Sequence, residues 1–170
     1  MPGKIPILSI AVATAAIATA ANNTNIVSNN DAAAFVGIEY FSSNSNGGEM
    51  KLQLLNDTNS TGAVCLDGSP GGFYYSPAAN ADADSSWQIY FQGGGWCYDE
   101  MDCYGRSQGG LGSSKNWPPS ASLNGIVSSD CTVNPDFCNF HRVWMAYCDG
   151  NSFSGNRDEP VVVNDTKLYF

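Results

Sequence analysis

Positive charge and histidine are both scarce in this sequence. Seven Lys and Arg residues face sixteen Asp and Glu, for a formal net charge of −9 over 170 residues. No basic patch is therefore available to track a phosphate backbone or an anionic membrane, and nucleic-acid binding is excluded as a function class. The same imbalance repels a polyanionic ligand at long range. His141 is the only histidine, and the cysteines never fall in a C-x2-C pair, so the usual donor set of a zinc site is missing. His141 reads instead as a packed or surface residue leading into a strand. The residues imply no metal and no cofactor. Long apolar runs are also lacking: the stretch from Ile5 to Ala18 is broken by Pro6, Ser9 and Thr14 and is too short to cross a bilayer.

That short run has another reading. Residues 1–21 carry Lys4, then the apolar run, then the small-residue triplet Ala18-Thr19-Ala20, the pattern of a secretory signal peptide. Export fits the cysteines: Cys65, Cys97, Cys103, Cys131, Cys138 and Cys148 form an even set, which in an exported chain argues for three disulfides. Sequons at Asn22, Asn56, Asn59 and Asn164 permit N-glycosylation and place those segments at the surface. Residues 22–48, rich in Asn, Ser, Ala and Gly, read as a flexible, low-complexity lead-in. The folded part is expected over 49–170, enough for one domain with its own core. The final Lys167-Leu168-Tyr169-Phe170 is apolar, so the chain is expected to stop inside an element.

The stretch Trp87-Gln88-Ile89-Tyr90-Phe91-Gln92-Gly93-Gly94-Gly95-Trp96-Cys97 organises the rest. Alternation over residues 88–91 predicts a strand, and three glycines at its end let backbone N–H groups face solvent where side chains would block them. Such groups stabilise an oxyanion, and in α/β-hydrolases one donor comes from a Gly-rich loop after the third strand. A plain glycine turn or a phosphate cradle has the same local sequence. Trp96 is read as a core or rim aromatic whose backbone N–H also donates.

Gly105-Arg106-Ser107-Gln108-Gly109 matches the G-x-S-x-G nucleophile elbow letter for letter. An elbow needs a buried strand before the serine and a helix after it. Ser107 follows Met101-Asp102-Cys103-Tyr104 and precedes Gly109-Gly110, so it is rejected as the nucleophile. Asp99, Glu100 and Asp102 read as solvated carboxylates on a short exposed loop, with a calcium loop or an acid/base group as the other possibilities.

Further strands are predicted at Glu49 to Leu55 and, as a meander, at Ala63 to Leu66 and Phe73 to Tyr75. Residues 110–135 are irregular, with room only for short helices. Arg142 to Cys148 is apolar almost throughout, as expected of a strand buried on both faces of a parallel sheet. Asp149 and Ser152 follow at its C-terminal edge, where α/β sites form. A pocket-lining role and a strand-terminating turn both remain open for them.

Six blocks together resemble the pectin acetylesterase and Notum carboxylesterase family: Cys65-Leu66-Asp67-Gly68-Ser69-Pro70, Phe91 to Cys97, Leu111-Gly112-Ser113-Ser114-Lys115, Gly125-Ile126, Asn134-Pro135-Asp136-Phe137, and Tyr147 to Gly155. The resemblance covers residues 63–170. It implies the N-terminal half of an α/β-hydrolase-like fold with a mostly parallel core sheet, stapled by disulfides. It also implies oxyanion donors at Gly95 and Trp96, with Gly94 giving close access, and disulfides Cys65 with Cys148 and Cys97 with Cys103, which leaves Cys131 with Cys138. Position 92 is Gln where many relatives carry an acidic residue. The family's Ser, Asp and His triad would lie beyond residue 170, so this chain is expected to be inactive alone.

The resulting expectation is a secreted serine esterase, with the cell wall as its destination, that removes acetyl groups from a cell-wall or extracellular polysaccharide. No membrane or nucleic-acid partner is implied after signal cleavage. A Notum-like lipid deacylase and a non-catalytic, disulfide-rich binding module are the alternatives.

Overall fold

A computed structural model describes residues 49–170. The signal peptide at 1–21, the lead-in at 22–48 and the sequon at Asn22 lie outside the described residues.

A five-stranded sheet carries the fold, in the order β3-β5-β2-β1-β4. Its strands are β1 (Met50–Leu54), β2 (Gly72–Ser76), β3 (Trp87–Phe91), β4 (Ser120–Ala121) and β5 (His141–Met145). β1 and β2 run antiparallel, with Leu52 opposite Tyr74. Gly72 is required at this pairing, since a Cβ there would stand 2.6 Å from the Gln53 carbonyl oxygen. β5 lies between β2, antiparallel to it, and β3, parallel to it with Ile89 opposite Val143. Three of the four pairings are therefore antiparallel, and the sheet is mixed where a mostly parallel one is expected from the sequence. An apolar run such as Arg142 to Cys148 reports burial between neighbours. It does not report their direction. The segment at Ala63 to Leu66 contributes only an isolated bridge, Val64 to Pro70.

The strand β3 is the edge of this sheet among the described residues, and Tyr90 and Phe91 on it are exposed. One face of the sheet buries Met50, Tyr74 and Ala146 under Leu52, Trp117, Leu123 and Trp144. His141, at the start of β5, is buried and stacks on Trp87 with ring centroids 4.2 Å apart. The Ala78 N–H donates to its Nδ1 (3.2 Å), so the ring proton sits on Nε2, which donates to the Asp84 carbonyl (3.0 Å). The sole histidine is thus a satisfied core residue.

Two α-helices lie among the described residues: a single turn, α1 (Thr58–Thr61), and α2 (Glu100–Ser107). α2 packs Cys103 and Tyr104 against Leu66 and against a hairpin of β6 (Val161–Val163) and β7 (Thr166–Leu168). Asn164 and Asp165 turn that hairpin at φ 47° and 60°, the left-handed pair that suits a two-residue loop to twisted strands. Asn164 and Asn56 are both exposed.

The sequence blocks at 65–70 and 111–115 interlock. Asp67 accepts from the Ser69 backbone and hydroxyl and pairs with Lys115 at 2.9 Å, while the Ser114 N–H donates to Ser69 Oγ at 2.9 Å. Burial pushes the Asp67 carboxyl up, but hydrogen bonds from Ser69, Lys115 and Ser113 outweigh it and hold the group below its ordinary 3.8. The disulfides are Cys65–Cys148, Cys97–Cys103 and Cys131–Cys138, the pairs that the resemblance implies.

Candidate active-site loop

The ladder between β3 and β5 continues one step past Phe91, where the Gln92 N–H donates to the Met145 carbonyl at 3.0 Å. The Gln92 side-chain oxygen then turns back to accept from the Tyr147 N–H at 3.0 Å and from the Trp144 indole at 3.4 Å. An acidic residue would supply the same acceptor, so Gln keeps the structural part of that position.

Beyond Gln92 the glycines leave strand geometry. Gly94 has φ 153° and Gly95 φ 70°, values that L side chains rarely adopt. At Gly94 space is short as well: a Cβ would stand 3.1 Å from a Leu111 methyl and 3.2 Å from an Arg106 guanidinium nitrogen. The loop is closed on its far side by the Cys97 N–H, which donates to the Gly150 carbonyl at 3.1 Å, and by the Cys97–Cys103 disulfide into α2.

Gly94, Gly95 and Trp96 are exposed. Among the described residues neither the Gly95 N–H nor the Trp96 N–H donates to a protein acceptor. Their carbonyl neighbours are occupied. Gly94 O accepts from both terminal nitrogens of Arg106 at 3.1 Å, and Gly95 O accepts from the Tyr147 hydroxyl at 2.8 Å. The Trp96 indole N–H donates to Ser152 Oγ, which orients a side chain that is 61% exposed.

The structure brings Ser152 to this loop and holds Asp149 apart from it. Asp149 organises the turn after β5, accepting from the N–H groups of Asn151, Phe153 and Gly155 at 3.1–3.2 Å. Ser152 and Phe153 sit within that turn at φ 55° and 61°, and the Ser152 N–H donates to the Tyr147 hydroxyl at 3.0 Å. Asp149 also lines an open cleft with Phe91, Met145, Phe153 and Phe170.

The acidic stretch after Cys97 is a helix start and no calcium loop. Asp99 caps α2 by accepting from the Asp102 N–H at 2.9 Å, and Asp102 reaches back to the Tyr98 N–H at 3.1 Å. Glu100 and Asp102 also place negative charge where the helix dipole favours it. Among the described residues no group of three or more His, Cys, Asp or Glu is placed to hold a metal ion.

Ser107 ends α2, is buried, and donates through Oγ to the Tyr104 carbonyl at 2.7 Å. A helix leads into it and no strand does, the reverse of an elbow.

Sequence reasoning passed over Arg106 and Tyr147. Arg106 lies inside the look-alike elbow motif and Tyr147 inside an apolar strand pattern. The one available signal was the pair Asp99 and Asp102, whose spacing starts the helix that carries Arg106.

Comparison with known proteins gives this loop a setting. Pectin acetylesterase 5 of Arabidopsis thaliana is 39% identical over 121 residues, covering 71% of this chain and 28% of that protein. The inactive palmitoleoyl-protein carboxylesterase notum1b of Danio rerio is 34% identical over 110 residues, covering 64% of this chain and 75% of that protein. A crystal structure of the Wnt deacylase Notum from Drosophila superposes with a TM-score of 0.60 at 29% identity, covering 71% of this chain and 33% of that one. The fold is thus α/β-hydrolase-like, and the chain spans less than a third of the Arabidopsis relative. No described helix is long and apolar enough to cross a membrane. A model of the pectinacetylesterase family matches residues 43–170, and with the glycine loop, the disulfides and the fold in agreement, the chain belongs to that family.

Proposed function

We propose that the protein carrying this sequence is an exported carboxylic-ester hydrolase that removes acetyl groups from pectin or a related extracellular polysaccharide. The observation that carries this reading is the pair of exposed N–H groups at Gly95 and Trp96, left without protein acceptors at the end of a sheet strand. Both can donate to an ester carbonyl oxygen as it gains negative charge, and donors fixed in advance cost no reorganisation at the moment of reaction.

In this reading a serine from outside residues 49–170 attacks the ester carbonyl while a histidine takes its proton. The tetrahedral oxyanion then rests against Gly95 and Trp96, and the sugar alkoxide leaves with that proton. These residues supply the oxyanion loop and are inactive without the nucleophile. The name of the Arabidopsis relative supports the acetyl ester of pectin as substrate, against the net charge of −9, which slightly disfavours a strongly anionic polymer. Three disulfides support export, into the cell wall where pectin is found, with glycans at Asn56, Asn59 and Asn164.

A second reading has its own support, because the chain spans three quarters of a zebrafish relative that is named inactive. It is a secreted, disulfide-stapled module without catalysis. A lipid deacylase of the Notum kind is the other enzyme reading.

Acetate release from acetylated pectin, p-nitrophenyl acetate turnover and labelling by a fluorophosphonate probe, measured on the whole protein the gene encodes, separate these readings. Acetate release with labelling supports the proposal. Turnover of a long-chain acyl ester alone supports the lipid deacylase. A folded, exported protein with neither turnover nor labelling overturns the esterase.

A further inference from the structure

The peptides of the glycine loop are planar and trans, so each amide hydrogen points away from the carbonyl oxygen on the other side of its plane. Fixing one corner of such a plane fixes the other. The plane joining Gly94 to Gly95 is held at the Gly94 oxygen by two donors from Arg106, each at 3.1 Å. The plane joining Gly95 to Trp96 is held at the Gly95 oxygen by the Tyr147 hydroxyl at 2.8 Å. The opposite corners of these two planes are the N–H groups of Gly95 and Trp96.

We propose that Arg106 and Tyr147 are positioning residues, which aim the two oxyanion donors by gripping the carbonyls behind them. The inference rests on the acyl-transfer reading for its catalytic meaning, and on the geometry alone for its mechanical one.

The two grips form one unit. The Arg106 guanidinium lies over the Tyr147 ring at 5.0 Å from its centroid, and Arg106 Nε donates to the Leu111 carbonyl at 3.0 Å. Three donors of one planar group therefore serve two carbonyls, which an ammonium on a single stem cannot reproduce. Tyr147 is buried, and its ring packs against Phe153 at 5.1 Å. Its oxygen also accepts the Ser152 N–H at 3.0 Å, and Ser152 in turn holds the Trp96 indole. Each of the two proposed donor planes thus has an anchor outside the loop, on α2 for one and just past β5 for the other.

Such anchors are needed here because of the glycines. Gly94 and Gly95 adopt φ 153° and 70°, and glycine has more backbone freedom to lose than any other residue. An unanchored Gly-Gly-Gly run would spread its N–H vectors over many directions, and electrostatic stabilisation depends on donors aimed in advance.

The test uses the whole protein encoded with this sequence. Tyr147→Phe removes one hydroxyl and keeps the ring, while Arg106→Lys keeps the charge and loses the fork. For p-nitrophenyl acetate, kcat is expected to fall about 10- to 100-fold in each variant, short of the loss on deleting a donor outright, with KM within about 2-fold. NMR order parameters of the Gly95 and Trp96 amides are expected to fall in both variants, with those of β5 unchanged. Wild-type kcat, a loss expressed in KM alone, or unchanged order parameters at Gly95 and Trp96 would overturn the inference. If the wild-type protein hydrolyses no ester, the acyl-transfer reading fails by itself and the order parameters alone judge the grip. Should one variant not fold, the other decides.

Discussion

Removing the Cys65–Cys148 disulfide should cost about twice as much stability as removing either of the other two. The reason lies in the unfolded chain. Cys65 and Cys148 are 83 residues apart, whereas Cys97–Cys103 and Cys131–Cys138 close separations of 6 and 7. Loop-closure entropy in the unfolded state gives about 4.5 kcal/mol for the long loop and about 2.2 to 2.4 kcal/mol for the short ones at 25 °C. Packing widens this gap, because Cys65 and Cys148 are both buried while Cys131 is exposed. The assay is equilibrium urea unfolding of the three paired alanine variants beside wild type, followed by tryptophan fluorescence and analysed at a common slope. The Cys65→Ala/Cys148→Ala variant should lie about 2 kcal/mol or more below the other two. Equal losses in all three, or a larger loss at a short bridge, would refute the chain-entropy reasoning.

Asp67 should shape the acid limb of stability. Its folded pKa is held below the ordinary 3.8, so its contribution is present above that value and is lost as pH falls through the folded pKa. The urea midpoints of wild type and Asp67→Asn should therefore differ most above pH 4 and converge below it, and a gap that widens on acidification would contradict the sign. Gly94→Ala places a Cβ against Leu111 and Arg106 at φ 153°. It should cost about 1–3 kcal/mol and lower kcat in the whole protein by about 10-fold or more, checked by urea unfolding and ester turnover. Ser107→Ala should leave ester turnover within about 2-fold and cost about 1 kcal/mol for the lost hydrogen bond to Tyr104. A loss of about 1,000-fold there would instead identify Ser107 as a nucleophile.

How much of this was legible depended on the kind of signal. β3 spans Trp87–Phe91, one residue earlier at its start than the alternation over 88–91, and was legible because alternation followed by glycines marks both the strand and its end. β1 and β5 shifted by a residue or more at their ends, as boundaries do when polar residues continue a ladder. Strand direction was not legible, since Val143 and Trp144 are apolar whether their neighbours run parallel or antiparallel. Helix α2 was missed because Gly105 and Cys103 weaken its propensity, and its stability comes from Asp99, Asp102 and packing under the hairpin. The glycine loop could be found from the chain alone. Its anchors could not, because Arg106 and Tyr147 meet only through tertiary contacts.

Among the described residues the outer edge of β3 carries no partner strand, which bears on how residues 49–170 behave at high concentration. Its five residues, Trp-Gln-Ile-Tyr-Phe, contain no charge and no proline, the two features by which edge strands ordinarily refuse a neighbour. With Tyr90 and Phe91 partly exposed beside Trp144 and Phe153, residues 49–170 offer a ready template for strand addition by a second copy, and a preparation of them alone would be prone to fibrillar or amorphous self-association. The strand that delivers the glycine loop is thus also the colloidal weak point of residues 49–170 taken alone.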